Sequence, residues 1–310
     1  MKKYSTLAKE LLDRQIKNWD WCINGYGSLA TVITHEFNYD GFSLKVQFNP
    51  GRMTSTSAKV DPKSIKERKC FLCEASLPAA QERLEYKNGY RILVNPFPIF
   101  PEHFTIPKIE HLPQQITGNF GDMLELADDL DGEFTVFYNG PKCGASAPDH
   151  FHFQAGTRKF MTVENDFVTL KRRYAVNSRL VDGVEVTMVD DGIRKMVFLQ
   201  GTDKMALEKE FYSVFTRYSE LKHLEEEPLM NILAWTEVEE FRVVVFLREK
   251  HRPARYFAEG TERILLSPAS VDIGGVGVIP VEDDFNRITQ EILAELLTEV
   301  FVTRELLLKL

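Results

Sequence analysis

In the stretch CGASAPDHFHFQAG, Cys143–Gly156, two histidines and a glutamine occupy every second position: His150, His152 and Gln154. Side chains alternate between faces along a strand, so these three would share one face. Phe151 and Phe153 would share the other, which reads as core. Three readings are open. The row can be a half-buried strand with a solvated polar face, although Lys, Glu or Thr are more usual there and two same-face histidines are costly to bury without partners. It can be a metal site, because imidazoles on one face ligate zinc. Or one imidazole can be a nucleophile, neutral and reactive near pH 7. Gln154 fits metal poorly but suits phosphate oxygens through its NH₂ group. The preceding GASAP offers small residues, the Ser146 hydroxyl and accessible backbone N–H groups, which suit an anion. The duties can thus divide, with one histidine on metal, one on phosphorus and Gln154 on the phosphate.

A second chemical pattern is CFLC, where Cys70 and Cys73 have C-x-x-C spacing. Together with two histidines they make a Cys₂His₂ set for zinc. The alternative is a pair of thiols buried in a turn.

The elements that must carry these residues can be read from periodicity. Ser5 to about Trp21 reads as one helix capped by Ser5, with Leu7, Leu11, Leu12 and Ile16 as its apolar stripe. FSLKVQF alternates as a strand and stops at Asn49-Pro50-Gly51. Strands are expected around Ile92–Val94 and Phe104–Ile106, a helix in the second part of QITGNFGDMLELADDL, and strands in EFTVFYNG and at the His-x-His stretch. A second series starts near Tyr174. It comprises a hairpin turning at Asp190-Asp191-Gly192, a helix over DKMALEKEFYSVFTRYSELK, a hairpin turning near Glu239-Glu240, and one closing helix from about Phe285 to Leu310. This mixture predicts an α+β fold with largely antiparallel sheet. TIPKIEH and VFLREKH each place a lysine and a histidine just past a strand, which suggests two related halves.

The 310 residues allow one large or two moderate domains. A net charge of -8 disfavours a nucleic-acid surface, which needs a basic face. It leaves small phosphate ligands open, since these need only local cations. No apolar run approaches the roughly 20 residues of a membrane helix. MKKYSTLAKELLDRQ has no apolar stretch after its basic start, so the expectation is a cytoplasmic protein without disulfides, not bound to membranes or nucleic acid.

HFHFQ resembles the His-x-His-x-Gln motif of the nucleotidyltransferase branch of the histidine triad superfamily. That branch includes galactose-1-phosphate uridylyltransferase, diadenosine tetraphosphate phosphorylase and GDP-sugar phosphorylases. FNPGRMTSTSAKVD, CFLC, NPFPIFPEHF, YNG and GAS occur in the family's order, covering about Phe48 to Gly156. The resemblance implies two histidine-triad-like halves, a catalytic one over 1–172 and a second over 173–310. It implies double displacement, in which His152 attacks the α-phosphorus of a nucleotide and the nucleotidyl group then passes to an acceptor phosphate. A backbone carbonyl would hold the other ring nitrogen, while Gln154 and Ser146 bond the non-bridging oxygens. It further implies a structural zinc, with iron as a substitute, on Cys70, Cys73, His111 and His150. Arg52 and Lys59 would hold phosphates or acceptor, Asn139 phosphate or sugar, and Asn95 and Phe97 the base, with His103 on the substrate side.

The reaction expected is phosphorolysis of a nucleoside diphosphate sugar or dinucleoside polyphosphate, with a phosphate or sugar-phosphate acceptor. A hexose-1-phosphate uridylyltransferase is the next reading, a hydrolase the third. The rival class is a zinc-stabilised nucleotide-binding module without turnover. A homodimer is compatible with the sequence, which does not fix the oligomeric state. One departure stands out: Asp149 is an extra residue before His150, and would rotate the Ser146 loop away from the phosphate. Lys142 and Arg158 lie near the motif without an implied role. In the second half the glycines at 274, 275 and 277 suggest a tight turn or a covering loop, and His251 and Arg252 read as strand-end charges or as groups reaching an acceptor phosphate.

Overall fold

A computed structural model describes residues 2–53 and 62–310. The chain opens with α1 (Tyr4–Asn18) and α2 (Asp20–Ser28), then a hairpin of β1 (Ile33–Tyr39) and β2 (Phe42–Phe48), and the short α3 (Pro62–Glu67). It continues through β3 (Arg83–Tyr86), β4 (Tyr90–Val94), β5 (His103–Pro107), α4 (Phe120–Asp129), β6 (Phe134–Asn139), β7 (His152–Thr157) and α5 (Thr162–Tyr174). The second series is β8 (Ala175–Val181), β9 (Val184–Asp190), β10 (Lys195–Gly201), α6 (Lys204–Lys222), β11 (Met230–Glu237) and β12 (Glu240–Leu247). The chain closes with α7 (Ser270–Ile273), β13 (Val276–Ile279), α8 (Glu282–Arg287), α9 (Gln290–Thr298) and α10 (Arg304–Leu307).

Ten strands form one antiparallel sheet in the order β3-β4-β5-β7-β6-β11-β12-β10-β9-β8. Read outward from the central β6–β11 pair, both sides follow the same plan. Each side is built by three strands, a helix and two strands. The expected α+β fold with largely antiparallel sheet is therefore present, and the two series meet in one continuous sheet, with Asn139 opposite Asn231. The similarity of TIPKIEH to VFLREKH does not follow this shared plan. The first lies on β5 and the second on β12, whereas the counterpart of β5 is β10.

Helices α1, α4 and α6 cover one face over a core that includes Phe104, Phe134, Tyr138, Phe151 and Phe153. The other face packs Phe137, Phe167, Phe198 and Trp235 under α5 and α9. A small sheet, β1-β2-β13, lies on this second side, and β13 runs parallel to β2.

Three local expectations differ. The N-terminal helix is two helices, because Trp19 adopts extended φ and ψ of -130° and 112° between them. Ser5 does not cap; it is buried inside the first turn. The closing helix is three short ones, because Thr289 and Thr303 each turn a side-chain oxygen onto a backbone N–H and start a new helix. Strands β1, β3 and β8 were not apparent from the sequence.

Candidate active site and metal centre

The site forms where β6 ends and β7 begins. Phe151 and Phe153 are 1% exposed and pack edge to face at 5.0 Å. Burying each ring contributes about 2–3 kcal/mol, enough to pin the start of β7 to the core. His152 and Gln154 project from the opposite face of β7, as alternation requires. His150 precedes the strand and sits at the end of a turn in which its N–H bonds the Ala147 carbonyl at 3.1 Å. The three residues therefore do not form a single row, and the turn rather than strand periodicity aims His150 away from His152.

The β6–β7 ladder stops at Phe137 opposite Gln154. Beyond it the amide of Gln114, 1% exposed, bridges the two chains. It donates to the carbonyls of Asn139 and His152, each at 3.0 Å, and accepts the His152 N–H at 2.8 Å. No local pattern marks this role, because nothing in HLPQQ separates Gln114 from Gln115.

His152 Nδ1–H donates to the His150 carbonyl at 2.8 Å. This fixes the tautomer and leaves Nε2 without a hydrogen bond among the described residues. Burial pushes the His152 pKa down to about 4, against the opposing pull of the His150 carbonyl. The imidazole is thus neutral at physiological pH, the form in which Nε2 carries a free lone pair. The ring lines a cavity of about 540 Å³.

Behind Gln154 stands His103. Its Nδ1 accepts the Ile99 N–H at 3.2 Å, so its Nε2–H donates to Gln154 Oε1 at 3.0 Å. The Gln154 carbonyl is thereby occupied and the NH₂ group is the end left for a ligand. His103 lies at the cavity wall, and its hydrogen bonds assign it to orienting Gln154.

Ser146 lines the same cavity. Asp149 does not turn it away. That carboxylate instead points to Arg68, at 2.5 Å, and lies 3.9 Å from His111 Nε2. Asn139 also reaches the cavity, but its Oδ1 accepts from Asn231 Nδ2, Ser270 N–H and Ser270 Oγ–H. Only its NH₂ remains available to a ligand. Asn95 uses Oδ1 to accept the Phe97 N–H and Nδ2 to donate to Thr105, so it shapes the NPFP turn. Phe97 is 46% exposed at the cavity mouth, its ring 6.1 Å from that of Trp21, which is 54% exposed. Trp21 stacks in turn on Trp19 at 5.8 Å. No periodicity in the sequence marks this aromatic wall, although two of the chain's three tryptophans lie in NWDWC.

Arg52 lines the cavity and donates to the Phe97 carbonyl at 2.6 Å. Burial lowers its pKa to about 10, which still leaves it cationic at neutral pH. Lys59 lies outside the described residues. Lys142 is an exposed partner of Glu226, and Arg158 pairs with the buried Glu164 near the start of β6; neither lines the cavity. Gly274 and Gly275 form a tight turn; a Cβ on Gly275 would stand 2.0 Å from Thr162 Oγ1.

Cys70, Cys73, His111 and His150 converge, with their ligand atoms all within 4.8 Å of one another. Cys70 Sγ is 3.3 Å from His150 Nδ1, and Cys73 Sγ is 3.1 Å from His111 Nδ1. A tetrahedral ion with bonds of about 2.0–2.3 Å needs edges of about 3.6 Å, close to these separations. His150 Nε2–H donates to the Lys108 carbonyl at 2.7 Å, the outer bond that steadies a metal-bound imidazole. Burial alone would raise the Cys70 thiol, but His150 and the N–H groups of Leu72 and Cys73 bring it down to about 6. The donor set therefore fits a metal ion, with all four positions filled by protein.

Residues 11–157 match the family model of a domain of unknown function, DUF4922. Among curated proteins none matches the sequence. Yeast Ap4A phosphorylase Apa2 superposes with a TM-score of 0.61 at 16% identity, covering 94% of each chain. Its complex with Ap4A gives the same TM-score and identity, over 97% of this chain and 98% of that one. A DUF4931 family protein from Bacillus cereus overlaps less, with a TM-score of 0.38 and 14% identity over 57% of this chain and 89% of that one. The chain thus shares the fold of Ap4A phosphorylase.

Proposed function

We propose that this protein is a nucleotidyltransferase of the phosphorylase type, acting on a dinucleoside polyphosphate or nucleoside diphosphate sugar through a nucleotidyl group carried on His152. The observation that supports it best is the His152 imidazole, held by its Nδ1–H on the His150 carbonyl with Nε2 free at the wall of the 540 Å³ cavity. A neutral imidazole fixed in one tautomer can attack phosphorus without first losing a proton. The Gln154 NH₂ group, turned to the cavity by His103, would bond a non-bridging oxygen, with Ser146 beside it. The nucleobase would lie against Trp21 and Phe97, whose exposed rings flank the mouth. The Cys70–Cys73–His111–His150 set would hold zinc, which in a site with no open position supplies structure and no Lewis-acid step. These residues would tie the CFLC loop to the turn that presents the His150 carbonyl.

The test is phosphate-dependent cleavage of Ap4A and of nucleoside diphosphate sugars, followed as nucleoside diphosphate release. The expected result is parallel initial-rate lines when donor and phosphate are varied, the pattern of a double displacement. Intersecting lines, or equal release with and without phosphate, would reject it.

A further inference from the structure

The second series of strands lacks a His-x-His-x-Gln element, yet the segment that follows it forms part of the cavity wall. His251, Arg252, Ser267 and Asp272 all line it. Arg252 and Ser267 lie far apart in the sequence and meet in the structure, where Arg252 Nε–H donates to Ser267 Oγ at 2.8 Å. The Tyr256 ring lies 4.2 Å under the guanidinium. Among the described residues Arg252 has no carboxylate partner, and its two terminal amino groups make no hydrogen bond. His251 Nε2 is buried and has no hydrogen-bond partner. Arg52 adds a second guanidinium without an ion pair among the described residues. The remaining cavity arginine, Arg68, is already paired with Asp149. The carboxylate in the lining, Asp272, has both oxygens occupied by the N–H groups of Ala269 and Val278.

This wall is close to the proposed phosphoryl centre. Ser270 bonds Asn139 Oδ1 through both its N–H and its hydroxyl. A Cβ on Gly144 would stand only 2.6 Å from Ala269 Cβ, so the 267–272 segment packs directly on the loop that carries Ser146. Unpaired guanidiniums bind a phosphate dianion well, because the flat fork matches two oxygens at once. A chain of net charge -8 has little other reason to leave two of them without a carboxylate partner among the described residues inside one cavity.

We propose that Arg252, oriented by Ser267 and assisted by His251 and Arg52, forms a subsite for inorganic phosphate, the acceptor in the transfer. The assignment of that phosphate as acceptor rests on the nucleotidyl-histidine reading above. A phosphate oxygen forms a P–O bond to the α-phosphorus while the bond from His152 Nε2 to phosphorus breaks and its electron pair returns to Nε2. Nδ1 keeps its proton on the His150 carbonyl, and the product is a nucleoside diphosphate. Attack and departure share one line through phosphorus. The first leaving group must therefore occupy the same subsite before the acceptor does.

The test is titration of the resting protein with inorganic phosphate by calorimetry. Wild type is expected to bind it, and Arg252→Gln to bind at least about tenfold more weakly, roughly the loss of one charge-assisted pair. Ser267→Ala, which frees the guanidinium without removing it, should give a smaller loss in the same direction and covers the case in which Arg252→Gln fails to fold. Lys142→Gln, at an exposed residue outside the cavity, should leave phosphate binding unchanged. Equal binding by wild type and Arg252→Gln, or no binding to wild type up to about 10 mM, overturns the subsite. Arg252-dependent phosphate binding without any label on His152 would retain the subsite and reject the transfer reading. Label on His152 with Arg252-independent binding would do the reverse.

Discussion

Replacing Gln114 by leucine tests what holds the start of β7. The substitution keeps the volume, so it adds no cavity term. It removes the three hydrogen bonds to Asn139 O, His152 O and His152 N–H, at 3.0, 3.0 and 2.8 Å. Each buried backbone group left unpaired costs about 1–3 kcal/mol. Because the β6–β7 ladder has ended at Phe137 and Gln154, no strand partner can take up these groups. Water entering from the cavity recovers part of the loss, so the expected destabilisation is about 3–5 kcal/mol. That corresponds to a fall of about 5–8 °C in melting temperature for a chain of this size. Gln115, its exposed neighbour, is the matched control, and its leucine variant should stay within about 0.5 kcal/mol of wild type. Guanidinium unfolding of the three proteins decides the matter. A Gln114→Leu protein within about 1 kcal/mol of wild type would show that the amide bridge does not hold the two strand ends together.

Three further outcomes follow from the geometry. Elemental analysis should find about one zinc per chain in wild type and little in Cys70→Ser, because three donors hold a structural ion poorly; unchanged metal content would refute the site. Burial holds the His103 pKa down at about 3, against 6.5 unfolded, so its stabilising effect is complete above pH 6.5 and is lost as pH falls below that value. Near pH 5 the unfolded chain binds about one more proton at this residue, which makes stability rise by about 1.4 kcal/mol per pH unit, and His103→Gln should remove that increment from the pH dependence of unfolding; an identical slope would contradict it. Gly144 has φ of +94° and its Cβ would collide with Ala269, so Gly144→Ala should lose about 1–3 kcal/mol and speed amide exchange in 267–273; wild-type exchange there would show that the loop and segment are not packed as described.

The parts of this site visible in the sequence are those with dense local patterns. HFHFQ marked two faces through period two, and C-x-x-C marked a pair of thiols that the fold brings to His111 and His150. The proline-rich NPFP link marked a turn, and Asn95 does close one. What the sequence could not show depends on groups distant along the chain. Gln114 matters because a ladder ends early, a fact of register that no local pattern records. His103 stands behind Gln154 because β5 pairs with β7, which places Thr105 opposite Gln154. Arg252 and Ser267 are separated by a long excursion and meet only in the folded chain. His150 was misplaced on the strand because period two continues through a turn that breaks it, and Asp149, which looked like a disturbance of the Ser146 loop, reaches toward Arg68 and His111 instead.

The most direct test of the account is covalent. The protein is incubated with Ap4A or a nucleoside diphosphate sugar carrying label at the α-phosphate, without acceptor, then denatured and analysed intact. The account predicts one nucleoside monophosphate per chain, labile to acid and stable to base, mapped to His152, absent from His152→Ala and discharged by inorganic phosphate. Label that persists in His152→Ala, or wild-type protein that takes up none from any such donor, would contradict it.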